Sequence, residues 1–285
     1  MKILETFRDA IQGLDRFIVT EDKIRLLQAY IKVGFDVLDV GSFVSPKAIP
    51  QFKDMEMVMK AIPKPDSNTR LMVMVANLKG MDKVIQFPQI DFVVYPFSPS
   101  EIFLKKNINQ TMDQSLRVLD KIHNQCDKSG KELWLYYAMA FGSPYGDRID
   151  EDELWKMTDR MRREGIQYQS YADTIGVAKP TMVSNVFRFL KNDFSDLHVG
   201  LHLHSRAEEW RPLVKAAWEN GCEYFDGVIS GLGGCPMTGY ELKSNLPTTH
   251  LVNFAKEKKI ELRWEEKKFW EAKILTDTLL SQNHF

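Results

Sequence analysis

Apolar and polar positions along the chain fall into eight short strand-like runs with helical stripes between them. The runs are Ile3–Thr6, Val37–Ser42, Leu71–Ala76, Phe92–Pro96, Leu133–Ala140, Gln169–Asp173, His198–His204 and Tyr224–Ile229. Between the first two, Thr20-Glu21-Asp22-Lys23 reads as an N-cap with an acidic first turn, Ile24, Leu27, Ile31 and Val33 form the buried stripe, and Gly34 ends the helix. Asp150-Glu151-Asp152-Glu153 opens a helix that runs to Gly165. Another begins near Lys179-Pro180 and carries Met182, Val183, Val186 and Phe189. A further one passes through Trp210, Leu213, Ala216 and Trp218 to Gly221. Strands alternating with helices predict a parallel α/β fold, and the count fits a closed (β/α)8 TIM barrel better than an open doubly wound sheet. No GxGxxG follows the first run, which removes the main cue for a dinucleotide-binding sheet. The chain shows no linker or internal repeat, so a single catalytic domain over 1–285 is expected, with residues 246–285 as a helical extension.

Composition narrows the function. The 285 residues suit one barrel, which takes ~250. A hydrophobic fraction of 44%, a charged fraction of 27% and a formal net charge of -1 describe a globular protein without a basic stripe. Nucleic acid and membrane surfaces are therefore not favoured partners. The three cysteines make no CxxC pair, which argues for a reducing compartment and against a structural zinc cluster. With no signal-like or membrane-spanning stretch, the expected location is the cytoplasm.

The chemistry gathers where barrel strands end. Alternation puts His202 and His204 on one face, with Leu201 and Leu203 on the other. Neutral imidazoles side by side can grip a divalent metal, although any single strand histidine is more often held by ordinary hydrogen bonds. Asp9, just past the first strand, is a candidate oxygen ligand or else a turn cap. Asn245 offers a carbonyl oxygen, or serves a turn. Such a donor set leaves positions open for a chelating substrate and suits Mg2+ or Mn2+ better than tetrahedral zinc. Arg8 can stabilise charge that develops on an oxygen, and a structural ion pair to Asp39 or Asp173 is compatible with that role. Gly231-Leu232-Gly233-Gly234-Cys235-Pro236 is a glycine-rich loop that ends in a thiol able to move protons; a lone cysteine is otherwise a small buried hydrophobe. Lys105-Lys106-Asn107 could meet the phosphates of a large substrate, or form a solvated helix face. Trp134, Tyr136 and Tyr137 are assigned to packing, and Cys126 and Cys222 to no role.

These residues resemble the 3-hydroxy-3-methylglutaryl-CoA lyase family, within the wider group of metal-dependent barrel lyases and Claisen-type synthases. The resemblance runs from Arg8 to about Asn253. It rests on Arg8-Asp9-Ala10-Ile11-Gln12, Ser42-Phe43-Val44-Ser45-Pro46-Lys47, Pro50-Gln51, Lys105-Lys106-Asn107-Ile108-Asn109, Asp173-Thr174-Ile175-Gly176, His202-Leu203-His204 and the Gly231–Pro236 loop. It implies a metal held by Asp9, His202, His204 and Asn245. Arg8, Gln12 and Asn107 would contact an acyl-CoA substrate. Asp39, where the family usually has Glu, and Asp173 would support Arg8 or the metal shell, and Cys235 would move protons. The implied reaction is a retro-Claisen cleavage to acetyl-CoA and acetoacetate in leucine breakdown, by a homodimer. Three departures stand out: Ala10 replaces the usual Gly, Ser205-Arg206-Ala207-Glu208 follows the second His, and the Cys235–Asn245 spacing is one residue longer than the family's. They leave open a related lyase or synthase on another 3-hydroxyacyl-CoA or 2-oxo acid, or a barrel that binds acyl-CoA without turnover.

Overall fold

Each strand is followed by at least one helix that returns the chain to the same end of the next strand, the arrangement a parallel sheet requires. The computed structural model describes residues 1–66, 68–147, 149–204, 209–233 and 244–281. Its elements run β1 (Lys2–Glu5), α1 (Phe7–Ile11), α2 (Thr20–Val33), β2 (Val37–Ser42), α3 (Met55–Ala61), β3 (Arg70–Met74), α4 (Leu78–Val84), β4 (Ile90–Phe97), α5 (Glu101–Ile108) and α6 (Met112–Ser129). They continue with β5 (Glu132–Tyr137), α7 (Glu151–Arg163), β6 (Tyr168–Asp173), α8 (Pro180–Asp193), β7 (His198–Leu203), α9 (Trp210–Glu219), β8 (Tyr224–Gly227), α10 (Thr248–Glu257) and α11 (Glu266–Ser281). The eight strands close in order, and parallel pairing of β1 with β8, Leu4 beside Asp226, seals the barrel.

Two apolar layers follow from strand alternation. Leu4, Val37, Met72, Phe92, Val94, Trp134, Tyr136, Tyr168 and Tyr224 fill the barrel interior. The opposite faces of the strands pack against the helices in the larger outer core. The aromatic plug is built edge to face: the Trp134 ring centroid lies 5.0 Å from Phe92 and 4.8 Å from Tyr224, and its indole N–H donates to Ser170 Oγ at 2.8 Å. With that plug in place, the open end is the one at the strand C-termini.

The structure corrects several boundaries. β5 stops at Tyr137 rather than Ala140, because Met139 takes a positive φ of 62° and turns the chain. β8 ends at Gly227, two residues early, and His204 stands one residue beyond β7. Thr20 is the first residue of α2, not its cap, and its hydroxyl donates to Asp54 at 2.8 Å. The buried face of α2 is Lys23, Leu26, Leu27, Tyr30 and Val33, with Ile24 and Ile31 half-buried. Lys23 is drawn inside because its ammonium meets Asp54 Oδ1 at 2.8 Å and the Gln51 carbonyl. Residues 246–285 are not all appendage. α10 is the helix that follows β8 in the barrel, and α11 is the added one, packed on α2 through Tyr30 and Thr276 hydroxyls 2.8 Å apart.

Candidate active site

β1 delivers the first residues of the site. It ends at Glu5, and the five-residue α1 places Arg8 and Asp9 on consecutive positions, 4% and 2% exposed. Arg8 donates from Nε to Asp39 Oδ2 at 2.7 Å and from Nη1 to Gln12 Oε1 at 3.0 Å, and Nη1 lies 3.6 Å from Asp9 Oδ1. The Gln12 amide in turn donates to Asp9 Oδ1. Burial works against charge at Arg8, yet the Asp39 and Asp9 carboxylates beside it raise its pKa above the ordinary arginine value. Burial also disfavours ionised Asp9, but Arg8, His202 and His204 more than offset it and hold this carboxyl well below the usual range. Asp39 goes the other way. Burial pushes it up to about 6 against the pull of Arg8, and its Oδ1 is buried with no hydrogen-bond partner among the described residues.

β7 brings in the histidines. The Nε2 atoms of His202 and His204 sit 3.0 Å apart, and Asp9 Oδ2 lies 3.2 Å from the first and 3.7 Å from the second. All three residues are buried. The far nitrogen of each ring is engaged: His202 Nδ1 with Asp226 Oδ2 at 2.8 Å, and His204 Nδ1 with the Thr174 carbonyl at 2.8 Å. A carbonyl only accepts, so His204 carries its proton on Nδ1, and a carboxylate partner assigns the same tautomer to His202. With both rings neutral in that tautomer, as a bound cation would require, two Nε2 lone pairs and a carboxylate oxygen converge on one point. That donor set fits a cation, and these three residues can hold a metal ion. Burial would keep the His202 pKa down, but the carboxylates of Asp226 and Asp9 outweigh it and carry the ring up to about 10, so the spot favours positive charge.

Asn245 lies beside this cluster, its backbone bridged to His204. Its amide donates to the Leu232 carbonyl at 2.9 Å, which leaves Oδ1 buried with no hydrogen-bond partner among the described residues. A buried orphan acceptor is costly unless something satisfies it, as an added cation would.

The cluster forms one side of a cavity of about 170 Å³. Arg8, Asp9, Gln12, Tyr136, Thr174, His202 and His204 make the polar side, and Asn107 of α5 also reaches the wall. The rest is apolar, with Val44, Ala48, Ile49, Met74, Ala76, Pro96, Phe103 and Ala138 prominent. Of the residues singled out in the sequence, Arg8, Asp9, Gln12, Asn107, His202 and His204 line this cavity, while Asp39 sits behind Arg8. Asp173 is placed differently. Ala172 and Thr174 line the cavity, and the Asp173 carboxylate between them accepts from the N–H groups of Val177 and Ala178 at 2.9 and 3.0 Å. Strand alternation turns it outward, so it orders the loop after β6 instead of touching Arg8. Cys235, Arg206 and Glu208 lie outside the described residues.

Two residues escaped the sequence reading. Tyr136, assigned there to packing, lines the cavity and donates from its hydroxyl to Asp226 Oδ2 at 2.7 Å. Asp226 on β8 is 3% exposed and joins Tyr136 to His202. Its signal was its parity with Tyr224 in a run otherwise suited to a core.

Comparison with known proteins agrees with this geometry. A family model described as HMGL-like matches residues 1–275. The hydroxymethylglutaryl-CoA lyase YngG of Bacillus subtilis is 30% identical over 229 residues, covering 80% of this chain and 76% of the relative. The human mitochondrial hydroxymethylglutaryl-CoA lyase is 30% identical over 254 residues, covering 88% and 77%. Among solved structures, the Bacillus subtilis HMG-CoA lyase superposes with a TM-score of 0.91 at 27% identity, covering 98% of this chain and 93% of that one. An Acinetobacter baumannii HMG-CoA lyase, solved with coenzyme A and 3-methylmalate, gives 0.91 at 28% identity, covering 99% and 91%.

Proposed function

The chain belongs to the HMGL-like family, and we propose that it is a divalent-metal-dependent carbon–carbon lyase that cleaves 3-hydroxy-3-methylglutaryl-CoA to acetyl-CoA and acetoacetate. The observation that carries this reading is the meeting of Asp9, His202 and His204 at the mouth of the barrel, with Arg8 held beside them. When bound, a divalent cation would supply Lewis acidity that lowers the pKa of the substrate hydroxyl. Asp9, His202 and His204 would hold it, and Asn245 Oδ1, which has no hydrogen-bond partner among the described residues, makes that residue the fourth candidate ligand. Oxygen and imidazole donors with room for substrate suit Mg2+ or Mn2+.

The chain's own residues account for the rest. The hydroxyl proton passes to solvent water, the C3–O bond becomes the ketone of acetoacetate as the C2–C3 bond breaks, and the released electron pair goes to the thioester carbonyl as the enolate of acetyl-CoA. Arg8 is fixed by Asp39 and Gln12 before substrate arrives, so its charge is available to that oxygen without reorganisation. The enolate carbon then takes a proton, a role we assign to Cys235. The apolar wall faces the methyl group and excludes water from the enolate. A relative solved with coenzyme A supports an acyl-CoA here. Among the described residues no helix is long and apolar enough to cross a membrane. We extend the reading to a cytoplasmic homodimer in leucine breakdown.

Acetyl-CoA release is the test, measured after chelation and again after Mn2+ is restored, beside Cys235→Ala. Release that requires the metal and drops steeply in the variant supports the reading; metal binding without release refutes it. The small side chains of Ala48, Ala76 and Ala138 on the apolar wall favour one second reading, a lyase for a bulkier 3-hydroxyacyl-CoA. A substrate panel separates the two by kcat/KM.

A further inference from the structure

The residues that touch a cation are not the only ones the centre needs. A neutral imidazole has one lone pair and one N–H, and which nitrogen carries which is decided by the partner of the far nitrogen. For His204 that partner is a backbone carbonyl, which no substitution removes. For His202 it is the Asp226 side chain. Asp226 approaches from β8, next to β7 in the barrel, and is itself fixed because the Tyr136 hydroxyl from β5 donates to the same oxygen. Its other oxygen, Oδ1, is buried and has no hydrogen-bond partner among the described residues. A buried carboxylate with one oxygen doubly engaged and the other idle is a poor stabilising device. Its placement makes sense if its work is done through His202.

We propose that Asp226 is a positioning residue of the metal centre: by accepting the Nδ1–H of His202 it keeps the Nε2 lone pair aimed at the point shared with His204 and Asp9, and Tyr136 holds Asp226 for that task. Asp226 touches no cation itself. The inference rests on the proposed metal dependence. It adds that the affinity of the site is set from the barrel interior, by a β5–β8–β7 chain of side chains.

The test is Mn2+ binding by calorimetry and by electron paramagnetic resonance on the full chain, with acetyl-CoA release as a secondary measurement. Asp226→Asn keeps the shape and removes the charge. Its expected Mn2+ dissociation constant is about 10–100-fold above that of the unaltered protein, the usual cost of losing such a partner. Tyr136→Phe leaves the Nδ1–H bond in place and is expected to shift the constant by less, about 3-fold. A purely structural role would instead lower the melting temperature of the metal-free protein and leave Mn2+ affinity intact. Should Asp226→Asn not fold, 15N spectra of histidine-labelled, Mg2+-loaded unaltered protein decide: a protonated Nδ1 on His202 supports the proposal, and a protonated Nε2 overturns it. Unaltered affinity in Asp226→Asn also overturns it. No Mn2+ binding by the unaltered protein would instead defeat the metal reading itself, so the two failures are distinguishable.

Discussion

Arg8→Lys separates the charge of this residue from its geometry. A lysine carries the same charge, but its Cε methylene falls where arginine has Nε, so the 2.7 Å bond to Asp39 Oδ2 has no replacement. Asp39 Oδ1 already has no hydrogen-bond partner among the described residues, and in the variant Oδ2 loses its bond to Arg8 as well. Losing a buried charge-assisted bond costs about 1.5–3 kcal/mol. The loss depends on pH. Asp39 sits at about 6, above an ordinary carboxylate near ~3.9, so its contribution to stability is full below that ordinary value and fades as pH rises through about 6. Without the Nε–H the carboxyl moves higher still, and at low pH it is simply neutral in both proteins. The destabilisation read from urea titrations of metal-free protein is therefore expected to be about 2 kcal/mol at pH 8 and about 1 kcal/mol at pH 5. In the assay of acetyl-CoA release, a misplaced cation loses most of its advantage at the enolate oxygen, about 10²–10³-fold in kcat. Equal destabilisation at the two pH values would refute the reasoning. So would an additive double-mutant cycle with Asp39→Asn, since residues in such contact should couple by more than about 0.5 kcal/mol.

Three further outcomes are expected. Glu5, fully buried, accepts from the Ile229 N–H and the Thr248 hydroxyl, and burial lifts it to about 8 in spite of both. A raised carboxyl loses its contribution as pH climbs from its ordinary value of 4.5 to about 8, so Glu5→Gln should match the unaltered protein below that ordinary value and exceed it in stability above pH 8, by at most about 5 kcal/mol; thermal melts across that range check the sign. Gly233 has φ +91°, and a Cβ there would strike the Asp9 carbonyl and the Asn245 amide, so Gly233→Ala should weaken Mn2+ binding and acetyl-CoA release together, which calorimetry and the same assay would show. Mn2+ at about 100 times its dissociation constant should stabilise the protein by about 2.7 kcal/mol, seen as a higher melting temperature that chelator reverses and that His204→Ala abolishes.

The parts of the fold that were readable in the sequence are those set by short-range periodicity. The order of eight strands followed from runs of alternating residues, and the shared face of His202 and His204 followed from a spacing of two. What periodicity cannot supply is the company a face keeps. Asp226 and Tyr136 meet His202 only because β5, β7 and β8 project into one lumen, a consequence of barrel closure. The placement of Asp173 was hidden for a related reason. A carboxylate at a strand end can face the lumen or the helix layer, and parity sends this one outward to Val177 and Ala178. Lys23 entered the core of α2 because Asp54, more than thirty positions on, waited there with the Gln51 carbonyl.

Charge placement ties these observations to function. Asp9, Asp39 and Asp226 bring three carboxylates to one side of the barrel mouth, and among the described residues Arg8 is the guanidinium that meets them. Asp39 and Asp9 already claim Arg8, and among the described residues the carboxylates Asp9, Asp39 and Asp226 outnumber that fixed cation. An acyl-CoA with a free carboxylate would be repelled from such a surface, and an apolar wall opposite offers that carboxylate no refuge. A divalent cation held by Asp9, His202 and His204 would add positive charge there, and the same acceptors would be the frame that holds it. The arrangement is thus coherent as a site completed by metal before substrate. Asn245 Oδ1, without a hydrogen-bond partner among the described residues and costly for folding alone, fits a structure shaped around that order of assembly.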